Sequence, residues 1–145
     1  MKRLARPLLA APLLLLGSCA MTFGGPKYSA CRAMETRNWS ASVEVEKEGK
    51  FPFPEERVLV VSGTVQVPTG GYSLALDAGP LVRLEPPVQQ VILRTTAPEG
   101  MATQAITEEQ VSGRLPYDKR ARSVEIRCGD ATIARIPVIE NRTGA

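Results

Sequence analysis

The chain has 145 residues, with 18 Lys or Arg against 15 Asp or Glu and no histidine. This length suits one domain with its own core. The lack of histidine excludes Ser-His-Asp and Cys-His catalysis. A site of carboxylates alone would need acids from different elements to meet, and no spacing indicates such a pair. We therefore expect a non-catalytic protein without a cofactor or metal.

The N-terminal segment has the parts of a secretory signal peptide. Three basic residues among the first six precede an apolar stretch, 8–16, which is shorter than the roughly 20 residues that span a bilayer. The stretch ends in Leu16-Gly17-Ser18-Cys19, which resembles a bacterial lipoprotein signal with its lipobox. The resemblance implies cleavage after residue 18 and acylation of Cys19. An ordinary signal peptide and an uncleaved anchor are the alternatives.

This resemblance also implies a location and a set of partners. The lipid would hold the protein to a membrane of the bacterial envelope. Ala20 after the anchor indicates, by resemblance to enterobacterial sorting rules, the outer membrane facing the periplasm. The cleaved segment carries three basic residues, so the mature chain is formally neutral and has no electrostatic footprint for nucleic acid. The expected partners are the membrane and an envelope protein.

The other two cysteines form an even pair once Cys19 carries lipid. In an oxidising compartment we expect Cys31 and Cys128 to be bonded to each other. The alternative, a catalytic thiol, would need an adjacent base, and the chain has no histidine to supply it.

Domain boundaries follow from composition. A signal peptide at 1–18 precedes a lipidated N-terminus and tether at 19–38, which includes a Gly-rich stretch. A β-domain is expected over 39–140, and 141–145 is expected to be a flexible C-terminus.

Seven segments of the β-domain show strand patterns, either alternating or rich in Val, Leu and Ile. They are 39–46, 57–67, 72–77, 88–96, 102–107, 122–128 and 131–139. Only a short turn near 108–112 has a helical pattern. The fold class predicted is all-β, a small immunoglobulin-like antiparallel β-sandwich of about seven strands, with a small barrel as the alternative.

The connections between these strands alternate in length. Those at 68–71, 97–101 and 129–130 are short, whereas those at 47–56, 78–87 and 108–121 are long. Alternate connections of an antiparallel sandwich fall at opposite ends. We therefore expect tight turns at one end and three long loops at the other.

Two long loops contain the ingredients of a protein interface. Phe51 and Phe53 alternate with prolines in the first, and Tyr117 precedes Lys119 and Arg120 in the last. Exposed aromatics beside cations are typical of binding faces. The alternative is that these rings cover the open end of the core.

The string Pro68-Thr69-Gly70-Gly71-Tyr72 is the most distinctive one inside the domain. Together with Pro98-x-Gly100-Met101 and 103–107, it resembles the C-terminal domain of PrcB-type protease-complex subunits. More loosely, it resembles the Thr-Gly-aromatic loop of chagasin-type cysteine protease inhibitors. These resemblances imply a protease inhibitor or protease-complex accessory that binds through Thr69, Gly70, Gly71 and Tyr72. The alternative is a structural turn in which glycine supplies a positive φ.

The whole chain is also similar to small proteobacterial lipoproteins, through Cys31, Arg37-Asn38-Trp39, the Gly-Gly-Tyr turn and Cys128-Gly129. That family implies no activity. Trp39 is expected to pack beside the disulfide, as in immunoglobulin-like cores, with ligand stacking as the alternative. The preferred expectation is a membrane-anchored periplasmic lipoprotein acting as a non-catalytic protein-interaction module.

Overall fold

Eight strands form two four-stranded sheets in the computed structural model, which describes residues 31–140. The strands are β1 (Thr36–Lys47), β2 (Glu56–Val67), β3 (Ser73–Val82), β4 (Val88–Thr96), β5 (Thr107–Pro116), β6 (Ser123–Cys128), β7 (Ala131–Pro137) and β8 (Ile139–Glu140). The first sheet has the order β5-β2-β1-β8 and the second β3-β4-β6-β7. The all-β sandwich is confirmed. The predicted signal peptide, the lipidation of Cys19 and the C-terminus at 141–145 lie outside the described residues.

Both sheets are mixed rather than purely antiparallel. Strand β1 pairs with β8 in parallel, and β4 pairs with β6 in parallel. The second pairing arises because the chain leaves β4, forms the edge of the first sheet as β5, and returns beside β4 as β6. Such a crossover makes the two flanking strands parallel. The strand order also differs from that of immunoglobulin constant domains, in which each sheet is antiparallel.

The fifth strand lies later in the chain than the sequence predicted. The sequence predicts a strand at 102–107 followed by a long loop with a helical turn. Instead β5 covers Thr107–Pro116 and pairs with β2 from Val67↔Thr107 to Val58↔Pro116. Its inner face carries only two buried aliphatic side chains, Val111 and Leu115. Charged and small residues separate these two positions, so the alternation is hard to recognise in the sequence. An edge strand with one solvent-exposed face needs little apolar surface.

The connections between the strands lie at two opposite ends of the sandwich. The tip end contains 48–55, 83–87 and 117–122, and the disulfide end contains 68–72, 97–106, 129–130 and residues 31–35. At the tip end, Gln89 Nε2 donates to the Pro116 carbonyl at 2.7 Å. At the disulfide end, Gly71, which has a φ of +83°, lies against Pro98. The predicted grouping is confirmed for the connections themselves, but 78–82 and 108–116, which the sequence placed in long loops, are strand. The length rule is wrong, because 97–106 is the longest connection.

The core lies between the sheets and consists mainly of β-branched and leucine side chains. In β2, β4 and β6 every second residue points inward and these rows are mainly apolar, although the outer face also carries Val58 and Val60 in β2 and Ile92 in β4. The largest fully buried side chains are Leu59, Leu93, Ile126, Val61, Val65, Val67, Val91 and Val124. Full burial of each such side chain stabilises the fold by about 1.5–3 kcal/mol.

Trp39 packs on the inner side of the first sheet, over Gly63. A β-bulge between Arg37 and Ser40, with Asn38 at φ 57°, precedes the regular part of β1. A Cβ added to Gly63 would lie 2.4 Å from the Trp39 ring, so the indole occupies the space that a side chain would take. Trp39 and both cysteines contact the same core cluster.

The predicted disulfide joins Cys31 to Cys128, with 5.2 Å between their Cα atoms. The segment after Cys31 is fixed to both sheets. The Arg32 amide donates to Thr95 Oγ1 at 2.9 Å in the second sheet, and the Met34 amide donates to the Gln66 carbonyl at 2.8 Å in the first. Residues 31–38, which the sequence placed in the tether, therefore belong to the sandwich. No helix within 31–140 is long and apolar enough to cross a membrane.

Candidate protein-binding tip

The β1–β2 hairpin ends in an exposed aromatic pair. Phe51 is 101% exposed and Phe53 is 75% exposed. Pro52 and Pro54 lack amide donors and have fixed φ angles, so the two strands cannot continue pairing through this connection. The turn is instead closed by the Phe53 amide, which donates to the Lys50 carbonyl at 2.6 Å. Aromatic side chains usually contribute to cores and interfaces, so two exposed rings at one tip make this hairpin the candidate binding surface.

Charged side chains surround this aromatic tip. A groove of about 930 Å³ beside Phe53 is lined by Glu46, Lys47, Glu48, Lys50, Phe53, Pro54, Glu55 and Glu56. Four carboxylates against two ammonium groups give this lining a net negative charge. Just below it, Arg57 donates to Glu55 at 2.5 Å, and this hydrogen bond raises the pKa of Arg57 above its ordinary value. Glu46 lies 3.9 Å from Arg114, so two of the four carboxylates are paired with arginines. The tip thus combines an exposed aromatic pair with a rim of mixed charge.

Tyr117 lies at the same end but has a different environment. It is half-buried and packs against the core cluster, and its hydroxyl donates to Glu140 Oε1 at 3.0 Å. Burial is the main cause of the raised pKa of Tyr117, with the bond to Glu140 second. Tyr117 therefore covers the core, as the alternative reading of these loops proposed.

Lys119 and Arg120 line a second groove, of about 530 Å³, which Phe51 and Phe53 do not line. Arg120 is held in place by Asp118: its Nε donates to Oδ1 at 3.0 Å and its Nη2 to Oδ2 at 2.7 Å. These bonds lower the pKa of Asp118 to about 2. The buried Gln89 fixes the loop, because its Oε1 accepts from the Asp118 amide at 3.2 Å. The predicted loop residues thus share one end but divide between two grooves.

The Gly-Gly-Tyr turn is packed into the disulfide end. Thr69 and Gly70 are half-buried, and Tyr72 contacts the core cluster. Gly71 has φ +83°, and a Cβ there would lie 3.2 Å from Pro98. Of these four residues only Gly71 is exposed, which favours the structural reading of the turn.

Sequence reasoning missed a buried carboxylate, Glu125, on the outer face of the second sheet. It is 6% exposed and lies between Gln90 and Arg135 in the strand register. Arg135 donates to Oε2, and Gln90 Nε2 donates to Oε1 at 3.2 Å. The hydrogen bond from Arg135 is the main cause of the lowered pKa of Glu125. Its hydrogen-bond capacity is used within the sheet, so this carboxylate has a structural role.

The geometry defines a disulfide-closed, two-sheet β-sandwich with an exposed aromatic hairpin tip. Within 31–140, no group of three or more His, Cys, Asp or Glu side chains could hold a metal ion. No family model, curated protein or solved structure matches the chain. Function is therefore inferred from the tip and its position in the fold.

Proposed function

We propose that this protein is a non-catalytic protein-binding module, lipid-anchored to the bacterial envelope through Cys19, that captures an envelope protein through its hairpin tip. The supporting observation is the exposure of Phe51 and Phe53, at 101% and 75%. Aromatic anchors that enter a partner's pocket carry much of the binding energy of an interface. Both rings project beyond the paired strands, where another surface can reach them.

The charged rim indicates the chemistry of the partner. The groove beside Phe53 presents four glutamates and two lysines, and Arg57 and Arg114 pair with two of the glutamates. An apolar pocket bordered by charged side chains of both signs would complement it. Charges at the rim act mainly on the rate of encounter and on specificity, whereas the buried rings act on the lifetime of the complex. Binding should therefore weaken with salt through slower association.

The tip proposal predicts a site-specific contact in the cell. A photo-crosslinking amino acid in place of Phe51 should give one discrete adduct with an envelope protein, and Phe53→Ser should remove that adduct. The matched control is the same photo-crosslinker in place of Gln110, which is exposed on the outer face of the first sheet. An adduct pattern shared by positions 51 and 110 would contradict the proposal.

With the partner identified, Phe51→Ala and Phe53→Ala should each weaken binding by more than about 1 kcal/mol, which is about fivefold. The melting temperature should hardly change, because exposed side chains contribute little to folding. In contrast, Tyr117→Ala should lower the melting temperature, because this ring covers the core. Loss of stability in the phenylalanine variants would mean that the rings support the fold rather than a partner.

The anchor is tested separately. Cys19→Ala should block acylation and leave the precursor unprocessed by the lipoprotein signal peptidase, so that its mass and its membrane fractionation both change. If the variant is processed and fractionates like the wild type, the anchor is not at Cys19.

A further inference from the structure

The disulfide end of the sandwich exposes apolar side chains. Met101 is 105% exposed, Ile106 is 61% exposed and Met34 is 55% exposed. Met101 follows Gly100, which has a φ of +87°. Ile106 adjoins Thr107, the first residue of β5, and Met34 is bonded to Gln66, the next-to-last residue of β2. All three therefore lie at one end of the molecule.

The same end carries fewer charges than the tip end. Its segments 31–35, 68–72, 97–106 and 129–130 hold 22 residues, of which four are charged: Arg32, Glu35, Glu99 and Asp130. In contrast, nine of the 19 residues in the three connections of the tip end are charged. Charged groups are expensive to bring against hydrocarbon, whereas methionine and isoleucine gain free energy by leaving water. The disulfide end is thus the one suited to a lipid surface.

The tether reaches the sandwich at this end. Cys31 is bonded to Cys128, and the hydrogen bonds of Arg32 and Met34 fix the first described residues against both sheets. Cys19 is 12 residues earlier, so an extended tether would span at most about 40 Å. The 12 residues of β1 also extend about 40 Å. The tether would therefore allow either end to meet the bilayer, and the polarity of the ends decides between them.

We propose that the disulfide end lies on the bilayer surface, with Met101 and Ile106 in contact with lipid. This orientation rests on the proposed anchor at Cys19. It places Phe51 and Phe53 at the far end of the sandwich, about 40 Å from the membrane along β1.

Fluorescence quenching in vesicles tests the orientation. The full acylated protein is reconstituted into neutral phosphatidylcholine vesicles that contain a bilayer-embedded quencher. With Cys19 acylated and Cys31 bonded to Cys128, Met101→Cys supplies a single free thiol for an environment-sensitive probe. Phe51→Cys is the matched control, because both native side chains are fully exposed. We expect a blue-shifted emission at position 101 and several-fold stronger quenching there than at position 51.

A second pair of variants separates lipid contact from mere proximity. A probe at Ala105→Cys should be quenched in the otherwise unchanged protein. Adding Met101→Asp and Ile106→Asp should remove most of that quenching while the protein still floats with the vesicles. Unchanged quenching would show that these two side chains do not hold the end to lipid, and would overturn the proposal.

The remaining outcomes are equally decisive. If the protein floats but the probe at position 101 stays in water, the orientation is wrong and the anchor stands. If the probe at position 51 is quenched instead, the tip is a membrane-contacting element, which overturns both the orientation and the protein-binding proposal. Protein that carries no lipid and does not float would overturn the anchor itself, and with it the orientation.

Discussion

Removal of the Cys31–Cys128 disulfide should lower the free energy of unfolding by about 4–5 kcal/mol. The bond closes a loop of 97 residues, and in the chain-entropy model a loop of this length restricts the unfolded chain by about that amount. A domain of this size has only about 5–15 kcal/mol of stability, so the reduced form should be close to unfolding at physiological temperature. Denaturant unfolding of Cys31→Ser/Cys128→Ser against the wild type measures the difference.

The folded state gives a second reason for the loss. Cys31 begins the segment whose Arg32 and Met34 amides bond to Thr95 in the second sheet and to Gln66 in the first. Without the disulfide, the start of the sandwich is held by these two hydrogen bonds, by the hydrogen bond that the Gln66 amide donates to the Glu35 carbonyl at 2.8 Å and by the packing of Ala33 on the core. The control is Cys19→Ala, which removes a cysteine outside the disulfide and should leave the unfolding midpoint unchanged. Equal midpoints for the double serine variant and the wild type would contradict the prediction.

The sequence predicted those strands whose inner face is continuously apolar. In β6, Val124 and Ile126 are fully buried and alternate with Glu125, so the period of two is visible. In β5 the same period is carried by Val111 and Leu115 with Gly113 between them, which is too weak a signal in a single sequence. Sheet edges are the least apolar parts of a sandwich, and their strands are therefore the hardest to predict.

The sequence likewise predicted only part of the arrangement of the candidate site. The alternation of strand directions placed Phe53 and Tyr117 at one end, and the structure agrees. Strand direction does not predict where each residue lies within that end. Phe53 projects from the hairpin into solvent, whereas Tyr117 packs against the core. The alternation of residues in β6 also does not predict that Glu125 is buried, because the side chains that cover it, Arg135 and Gln90, lie on neighbouring strands.

Gly63→Ala should destabilise the fold by about 2–3 kcal/mol, although the same change in an open strand position would stabilise it. Replacing glycine by alanine normally gains about 0.4–1 kcal/mol, because it restricts the unfolded chain. At position 63 the new methyl group would lie 2.4–2.7 Å from three atoms of the Trp39 ring. The ring must move out of the core, and overpacking of this kind costs about 1–3 kcal/mol, occasionally more.

The displacement can be followed directly, because Trp39 is the only tryptophan in the chain. Its Nε1 is buried and lacks a hydrogen-bond partner, so its emission should shift to the red when Gly63→Ala exposes the indole to water. The matched control is Gly70→Ala, where the nearest atom to a new Cβ is Thr107 Oγ1 at 3.6 Å, an ordinary contact. That variant should keep the emission of the wild type and should be no less stable.

A double-mutant cycle assigns the cost to the ring. Trp39→Leu removes most of the indole and will itself destabilise the core, because it leaves a cavity. In that background Gly63→Ala should cost less than about 1 kcal/mol, since the atoms it would meet are gone and residues in contact do not act additively. The same cost in both backgrounds would show that the β2 backbone, rather than the indole, requires glycine at position 63. If Gly63→Ala costs little in the Trp39→Leu background, the space that a side chain at position 63 would need is the space that the Trp39 indole fills.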